Sequence, residues 1–294
     1  MTNNENVTAG ILWVLAATFC FVTLDSTMKY ALVELHLPIT VVVWGRFLFA
    51  TLLAMAVVGK RLPEIAKSAK PGTQALRSFL LMATTILFNA GIKTTPLALG
   101  STIMFLTPIL VTLLSIPILG EHVGARRWAG IAFGFLGALI VVQPSPNELQ
   151  YGVLFLLGAA FTNASYQITT RQLRVENSPL TSFLYTAVAG TILSTPVVIL
   201  HWQNPTPLGW ALLVLCGIAG GLGHLFLVQA FRRAPASAVA PFGYSSLIWA
   251  TASGFMLFAE WPEWTTFLGA GVIVASGLYI FHRESLAARR AKQA

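Results

Sequence analysis

Apolar runs of about twenty residues follow one another along almost the whole chain, each closed by a short polar or proline-containing break. That pattern constrains the fold more than any motif does. About twenty apolar residues are what a helix needs to cross the hydrocarbon core of a bilayer. In hydrocarbon a backbone can satisfy its own N–H and C=O groups only as a helix or a closed barrel. Barrel strands alternate in polarity over about ten residues; these runs do not alternate and are about twice as long. Ten helices are therefore expected. They lie at Thr8–Val33, Pro38–Gly59, Thr73–Lys93, Pro96–Leu119, Gly124–Val142, Tyr151–Gln172, Pro179–His201, Pro207–Phe231, Pro235–Ala259 and Glu263–His282. Pro38, Pro96, Pro179, Pro207 and Pro235 open five of them, in a first turn that tolerates a missing N–H.

Only 10% of the 294 residues are charged, against about 25% in a typical soluble domain. A bundle of such helices must face lipid. The net charge of +8 does not indicate nucleic-acid binding, because the basic residues are dispersed between apolar runs. They follow loop parity instead. One set of loops and helix ends holds Lys60, Arg61, Lys67, Lys70, Arg77, Arg126, Arg127, Arg171, Arg174, Arg232 and Arg233, and the tail adds Arg283, Arg289, Arg290 and Lys292. The alternate set holds Lys93, with Lys29 near one edge. The positive-inside rule then puts the basic loops and both termini in the cytoplasm. In a bacterial cell this means the inner membrane. The N-terminal "MTNNENVTAG" has no basic n-region, and the run after it has no A-x-A-like cleavage site, so the first helix is expected to be retained. Cys20 and Cys216 sit inside apolar runs, far from a second cysteine or an acid, and read as packing residues.

The chain also repeats itself. "GILWVLAATFCFVTLDSTMKYALVE" from Gly10 aligns without a gap to "GVLFLLGAAFTNASYQITTRQLRVE" from Gly152, so that Lys29 meets Arg171. Later in each half, Pro96, Thr112, Glu121 and Gly130 meet Pro235, Thr251, Glu260 and Gly269 at one constant offset. Each half, 8–142 and 151–282, thus holds five helices; residues 283–294 form a basic tail. Five is odd, so the second half enters the membrane inverted. Inverted repeats give two nearly equivalent closures, one toward each side, as secondary transporters require.

Several features together resemble the drug/metabolite transporter superfamily, in its EamA-type branch. These are Trp44-x-Arg46-Phe47, "LTP" at Leu106–Pro108, Gly120-Glu121 followed by Trp128-x-Gly130, and Glu260 followed by Phe267-x-Gly269. The resemblance implies an all-α membrane protein of ten transmembrane helices, built as two inverted five-helix repeats. It also implies a central cavity lined mainly by spans 1, 3, 4, 6, 8 and 9, and export of amino acids, aromatic ones included, or related metabolites. The second half departs from the pattern. Leu247 stands where a proline would match Pro108, and Ala259 where a glycine would precede the glutamate.

Polar residues inside apolar spans are costly and need partners or a wet cavity. Asp25 and Arg46 lie at equal distance from the turn near Leu35, which makes them a candidate ion pair, with Lys29 as a competing partner one turn away. The pair reads as a clamp between spans 1 and 2 or as an outer gate. Asn163, Tyr166, Gln167 and Thr170 recur at helical spacing and form one polar stripe on span 6. Thr85, Phe88 and Asn89 on span 3, and Ser101, Thr102 and Phe105 on span 4, offer hydroxyl, amide and aromatic groups. So do Tyr244, Ser245 and Trp249 on span 9, and His224 with Gln229 on span 8. Together these suit a small amphipathic zwitterion. Gly217 and Gly221, like Gly130 and Gly134, have the spacing of close helix packing. "GIAGGLGH" is not a nucleotide loop, because no strand precedes it.

The segments "LGEHVGARRWAG" and "FAEWPEWTTFLG" are one turn written twice, at opposite faces. Glu121 and Glu260 are accordingly expected to mark helix ends and to stand outside the binding site. No paired acids, H-E-x-x-H or G-x-S-x-G context supports an intramembrane enzyme, and no cofactor or metal is expected. The expected protein is a carrier for a small metabolite, working as a monomer in the bilayer. An importer, a multidrug carrier or a passive channel are the alternatives.

Overall fold

The computed structural model of the protein describes residues 7–68, 70–120, 125–142, 151–173, 178–234 and 240–291. α1 (Val7–Val33) and α2 (Ile39–Val58) lead through a 3₁₀ turn at Gly59–Arg61 into the short α3 (Leu62–Ile65). α4 (Pro71–Ile92), α5 (Leu97–Met104), α6 (Thr107–Leu119) and α7 (Ala125–Val142) follow. The second half holds α8 (Tyr151–Gln172), α9 (Pro179–Leu200), α10 (Pro207–Arg233), a 3₁₀ segment at Ala240–Ser245, α11 (Ser246–Phe258) and α12 (Trp264–Ala291). α12 continues without a break into the basic tail. Glu121, Pro235 and Arg174 lie outside the described residues, as do residues 292–294.

Among the described residues, six stretches are long and apolar enough to cross a membrane: Thr8–Val33, Ile39–Ile65, Pro71–Ile92, Leu97–Ile118, Leu180–Leu200 and Pro207–Ala230. α7 and α12 carry the shorter apolar stretches Trp128–Val141 and Trp264–Tyr279. α8 is less apolar because it carries the polar stripe. The molecule is turned inside out relative to a soluble domain. Leu12, Phe133, Ile192, Leu200 and Met256 are exposed on its outside, while Gln74, Arg77 and Asn89 are buried. Such a perimeter is stable only against lipid.

The packing reflects the repeat. α1 lies along α10 and α4 along α8, while α2 packs on α9 and α7 on α12. Exchanging the two halves converts the first contact into the second and maps the other two onto themselves. This is the arrangement of two inverted five-helix repeats. The α2–α10 contact is close because Gly217 and Gly221 face α2. A Cβ on Gly217 would stand 2.7 Å from the backbone nitrogen of Ala50.

Span 4 is broken near its middle, between α5 and α6. In span 4, Pro108 has no N–H to offer the carbonyl of Met104. The chain bridges the gap with two tight bonds, from the Phe105 N–H to the Thr102 carbonyl and from the Leu106 N–H to the Ile103 carbonyl, both 3.0 Å. Span 9 has Leu247 at the corresponding place, and there the 3₁₀ segment that contains Pro241 and Gly243 precedes α11. Phe105 and Tyr244 occupy equivalent positions of the two repeats. They meet edge to face with ring centroids 5.0 Å apart. The helix ends correspond too. Gly120 and Ala259 both adopt the left-handed conformation, with φ of 67° and 53°. That conformation is natural for glycine and strained by roughly 1–2 kcal/mol for a residue with a Cβ.

Candidate functional site

A cavity of about 980 Å³ opens between the two halves. α1, α4, α5, α8 and α10 line it, together with Phe105 at the break in span 4 and Ser246 at the start of α11. α2 and α9 line it as well, through Arg46, Phe47 and Ala50 on one and Ser182, Phe183 and Thr186 on the other. The expected set of spans therefore gains spans 2 and 7. The polar stripe of α8 faces inward in full: Asn163, Tyr166, Gln167 and Thr170 all line the cavity. The amide of Gln167 reaches Asn163 Oδ1 at 3.4 Å. Thr85, Phe88, Phe105 and His224 join them. His224 is packed edge-on against Phe21, with centroids 5.0 Å apart.

Two arginines mark the ends of this space. Arg77 stands nearer the end of the bundle that carries the basic loops. Loop parity had grouped it with those loops, but it lies inside α4 and is 6% exposed. Its guanidinium donates to Thr170 Oγ1 at 2.7 Å, the Ser182 carbonyl at 2.9 Å, Thr186 Oγ1 at 2.5 Å and the Tyr166 hydroxyl at 2.6 Å. It also stacks 4.6 Å from the Tyr166 ring centroid. Every partner is neutral. Thr170 and Thr186 each donate their own proton to the carbonyl four residues back, on Tyr166 and Ser182, so their lone pairs are left to face the cation. The sequence carries a trace of this arrangement, since Gln74, Arg77, Ser78 and Leu81 share one helical face.

Arg46 lies toward the opposite end. The same device holds it: Thr85 donates to the Leu81 carbonyl at 2.9 Å and accepts from Arg46 Nη1 at 2.5 Å. Thr85 is eight residues from Arg77 on α4, about 12 Å along the axis. Asp25, on α1, lines the same cavity as Arg46. They do not form the expected direct ion pair. Among the described residues Asp25 has no hydrogen-bond partner.

Lys29 pairs elsewhere, which corrects a second expectation. Its Nζ meets Glu260 Oε1 at 2.5 Å and the Thr95 carbonyl at 2.8 Å. The other carboxylate oxygen accepts from the N–H of Leu97, the first residue of α5, at 3.1 Å. Glu260 is carried there by the left-handed turn at Ala259, which also lets the Glu260 N–H bond the Gly254 carbonyl at 3.0 Å. Glu260 is therefore more than a helix-end marker. It ties α1, α5 and the end of α11 together. No local pattern signals this, because the partners are brought together only by the fold.

Six further candidates do not line the cavity. Asn89 is buried behind the wall and donates to the Thr85 carbonyl at 2.8 Å. Thr102 is buried and bonds the Ala98 carbonyl at 2.9 Å. Tyr244 backs Phe105, Ser245 shares a 2.9 Å hydrogen bond with Thr18, and Trp249 packs edge-on against Phe19. Gln229 accepts from Arg233 at 2.5 Å near the end of α10.

A lipid-facing bundle with a polar cavity between two related halves is the architecture of a membrane carrier. The chain belongs to the EamA-like transporter family, whose pattern matches residues 8–143 and again 150–281. The S-adenosylmethionine uptake transporter of Rickettsia prowazekii is 27% identical over 275 residues, covering 94% of this chain and 93% of that protein. The riboflavin transporter of Vibrio cholerae is 29% identical over 286 residues, covering 96% and 95%. The pseudopaline exporter of Pseudomonas aeruginosa is 26% identical over 271 residues, covering 91% and 94%. A solved crystal structure shares the fold with a TM-score of 0.64 at 18% identity, over 97% of this chain and 99% of that one. This protein is thus a multi-pass membrane transporter of small metabolites, and its relatives are named as transporters, not enzymes.

Proposed function

We propose that the protein moves a small amphipathic metabolite across the inner membrane by alternating access, with an amino acid or an amino-acid-bearing metabolite as cargo and export as the direction. The observation that carries this reading is the lining of the cavity. Amide and hydroxyl groups of α8 face aromatic side chains from α1, α4 and α9. Thr85, Phe88, Phe105, Asn163, Tyr166, Gln167 and His224 are the contact residues in this reading, with Asn89, Thr102, Tyr244, Ser245 and Trp249 supporting them from behind. The basic end of the bundle and both termini face the cytoplasm, in keeping with the lysine and arginine asymmetry. One chain encloses the whole cavity and works as a monomer.

The volume favours a second, larger cargo class. About 980 Å³ lies at the upper end of small-molecule sites. It has room for a nucleoside- or flavin-sized molecule, in line with the names of the S-adenosylmethionine and riboflavin relatives. Purified protein in liposomes decides between these. A panel of amino acids, nucleosides, flavins and cationic drugs should give saturable, counterflow-stimulated flux for one class. Transport of another class with failure of every amino acid would sink the amino-acid reading, and unsaturable flux would mean a channel.

A further inference from the structure

We propose that Asp25 and Arg46 form a two-pole clasp for an α-amino-carboxylate head group, with the ligand carboxylate on Arg46 and its ammonium on Asp25. The proposal rests on the carrier reading above and deepens it. A guanidinium has five N–H donors, and among the described residues Arg46 gives one to protein, to Thr85 Oγ1. Its plane also lies 5.3 Å from the Phe47 ring centroid. Asp25 has no hydrogen-bond donor among the described residues. Both side chains line the cavity, on α1 and α2.

Opposite charges in a membrane interior ordinarily close on one another, because leaving them apart is costly. Here Thr85 on α4 holds Arg46, and α1 carries Asp25, so the two charges line one cavity without a direct ion pair. A ligand with one charge suits this gap poorly. A simple anion is drawn to Arg46 and repelled by Asp25; a simple cation meets the reverse. A molecule with ammonium and carboxylate on one carbon satisfies both poles. Arg77 does not compete for the head group, since four neutral acceptors already surround it. The body of the ligand then lies against Phe21, Phe88, Phe105 and Phe183, which line the same cavity.

Three matched probes test this by calorimetric titration of the purified protein: phenylalanine, 3-phenylpropionate, which lacks the amine, and phenethylamine, which lacks the carboxylate. Phenylalanine should bind about tenfold or more tighter than either, the size of one charge-assisted hydrogen bond. Asp25→Asn should erase its advantage over 3-phenylpropionate, and Arg46→Gln its advantage over phenethylamine. Equal binding of all three probes to the unmutated protein, or binding of none, overturns the clasp, as do unchanged ratios in folded variants. The probe series on the unmutated protein decides the matter even where a variant does not fold. Loss of the clasp alone leaves saturable counterflow of some other solute intact, whereas absence of saturable counterflow for every solute removes the carrier reading itself.

Discussion

The two ends of the cavity use the same residue type in opposite ways. Arg77 commits four of its five donors, to Tyr166, Thr170, Ser182 and Thr186, in bonds that tie α4 to α8 and α9. Arg46 is held by one hydroxyl and otherwise faces open space with Asp25. Both rely on threonines that turn their protons back into their own helices and present lone pairs outward. The difference lies in how many acceptors converge on the cation. Convergence makes an arginine structural, and its lack leaves donors for a ligand.

The strongest way to break this comparison is Arg77→Met. If these bonds make Arg77 a structural tie, its removal should cost about 3 kcal/mol or more, since hydrogen bonds to a charged group are worth roughly 1.5–3 kcal/mol each and are not additive. The thermal midpoint of the detergent-solubilised protein should fall sharply. A midpoint close to that of the unmutated protein would show that the cluster bears no load.

Glu260→Gln asks whether pairing or position matters, because Lys29 is a paired cation at the same end as Arg46. Its side chain is 3% exposed and that of Glu260 is 25% exposed. The loss should be marked but below the ~3–5 kcal/mol of breaking a fully buried pair. Adding Lys29→Met to the same protein should restore part of the midpoint, because no buried charge is then left alone. A double variant less stable than the single one would contradict this account. The smallest stability effect belongs to Thr85→Val, which removes the single hydroxyl on Arg46 and should cost no more than the roughly 1.5–3 kcal/mol of one hydrogen bond to a charged group. Its signature should be functional: a KM for the transported solute raised about three- to tenfold. An unchanged KM with a collapsed midpoint would reverse the contrast between the two arginines.

Much of this was legible in the sequence. The stripe Asn163–Tyr166–Gln167–Thr170 lies on one helix, so spacing alone predicts that it shares a face, and the cavity lies on that face. Phe105 and Tyr244 fall at one repeat offset, and they meet across the pseudo-twofold. Arg77 was less legible. Loop parity counts basic residues near helix ends, and Arg77 is near enough to the start of α4 to be counted, yet it points inward. The pairing of Lys29 was not legible at all. Asp25 is its neighbour one turn away, but Glu260, more than two hundred residues further along, is its partner.

The succession of apolar spans, the internal repeat and the polar stripe follow from periodicities along the chain, and the sequence alone determined them. Which charges meet depends on distances between helices, and those are set by how α1, α5 and α11 converge at one end of the bundle. Tertiary structure therefore decided that Lys29 is locked to Glu260, that Arg77 is surrounded, and that Asp25 and Arg46 line one open cavity without a direct ion pair. The physical reason is that a buried ion must be matched by whichever groups the packing brings within a few ångströms, and helix packing joins residues that no local pattern relates.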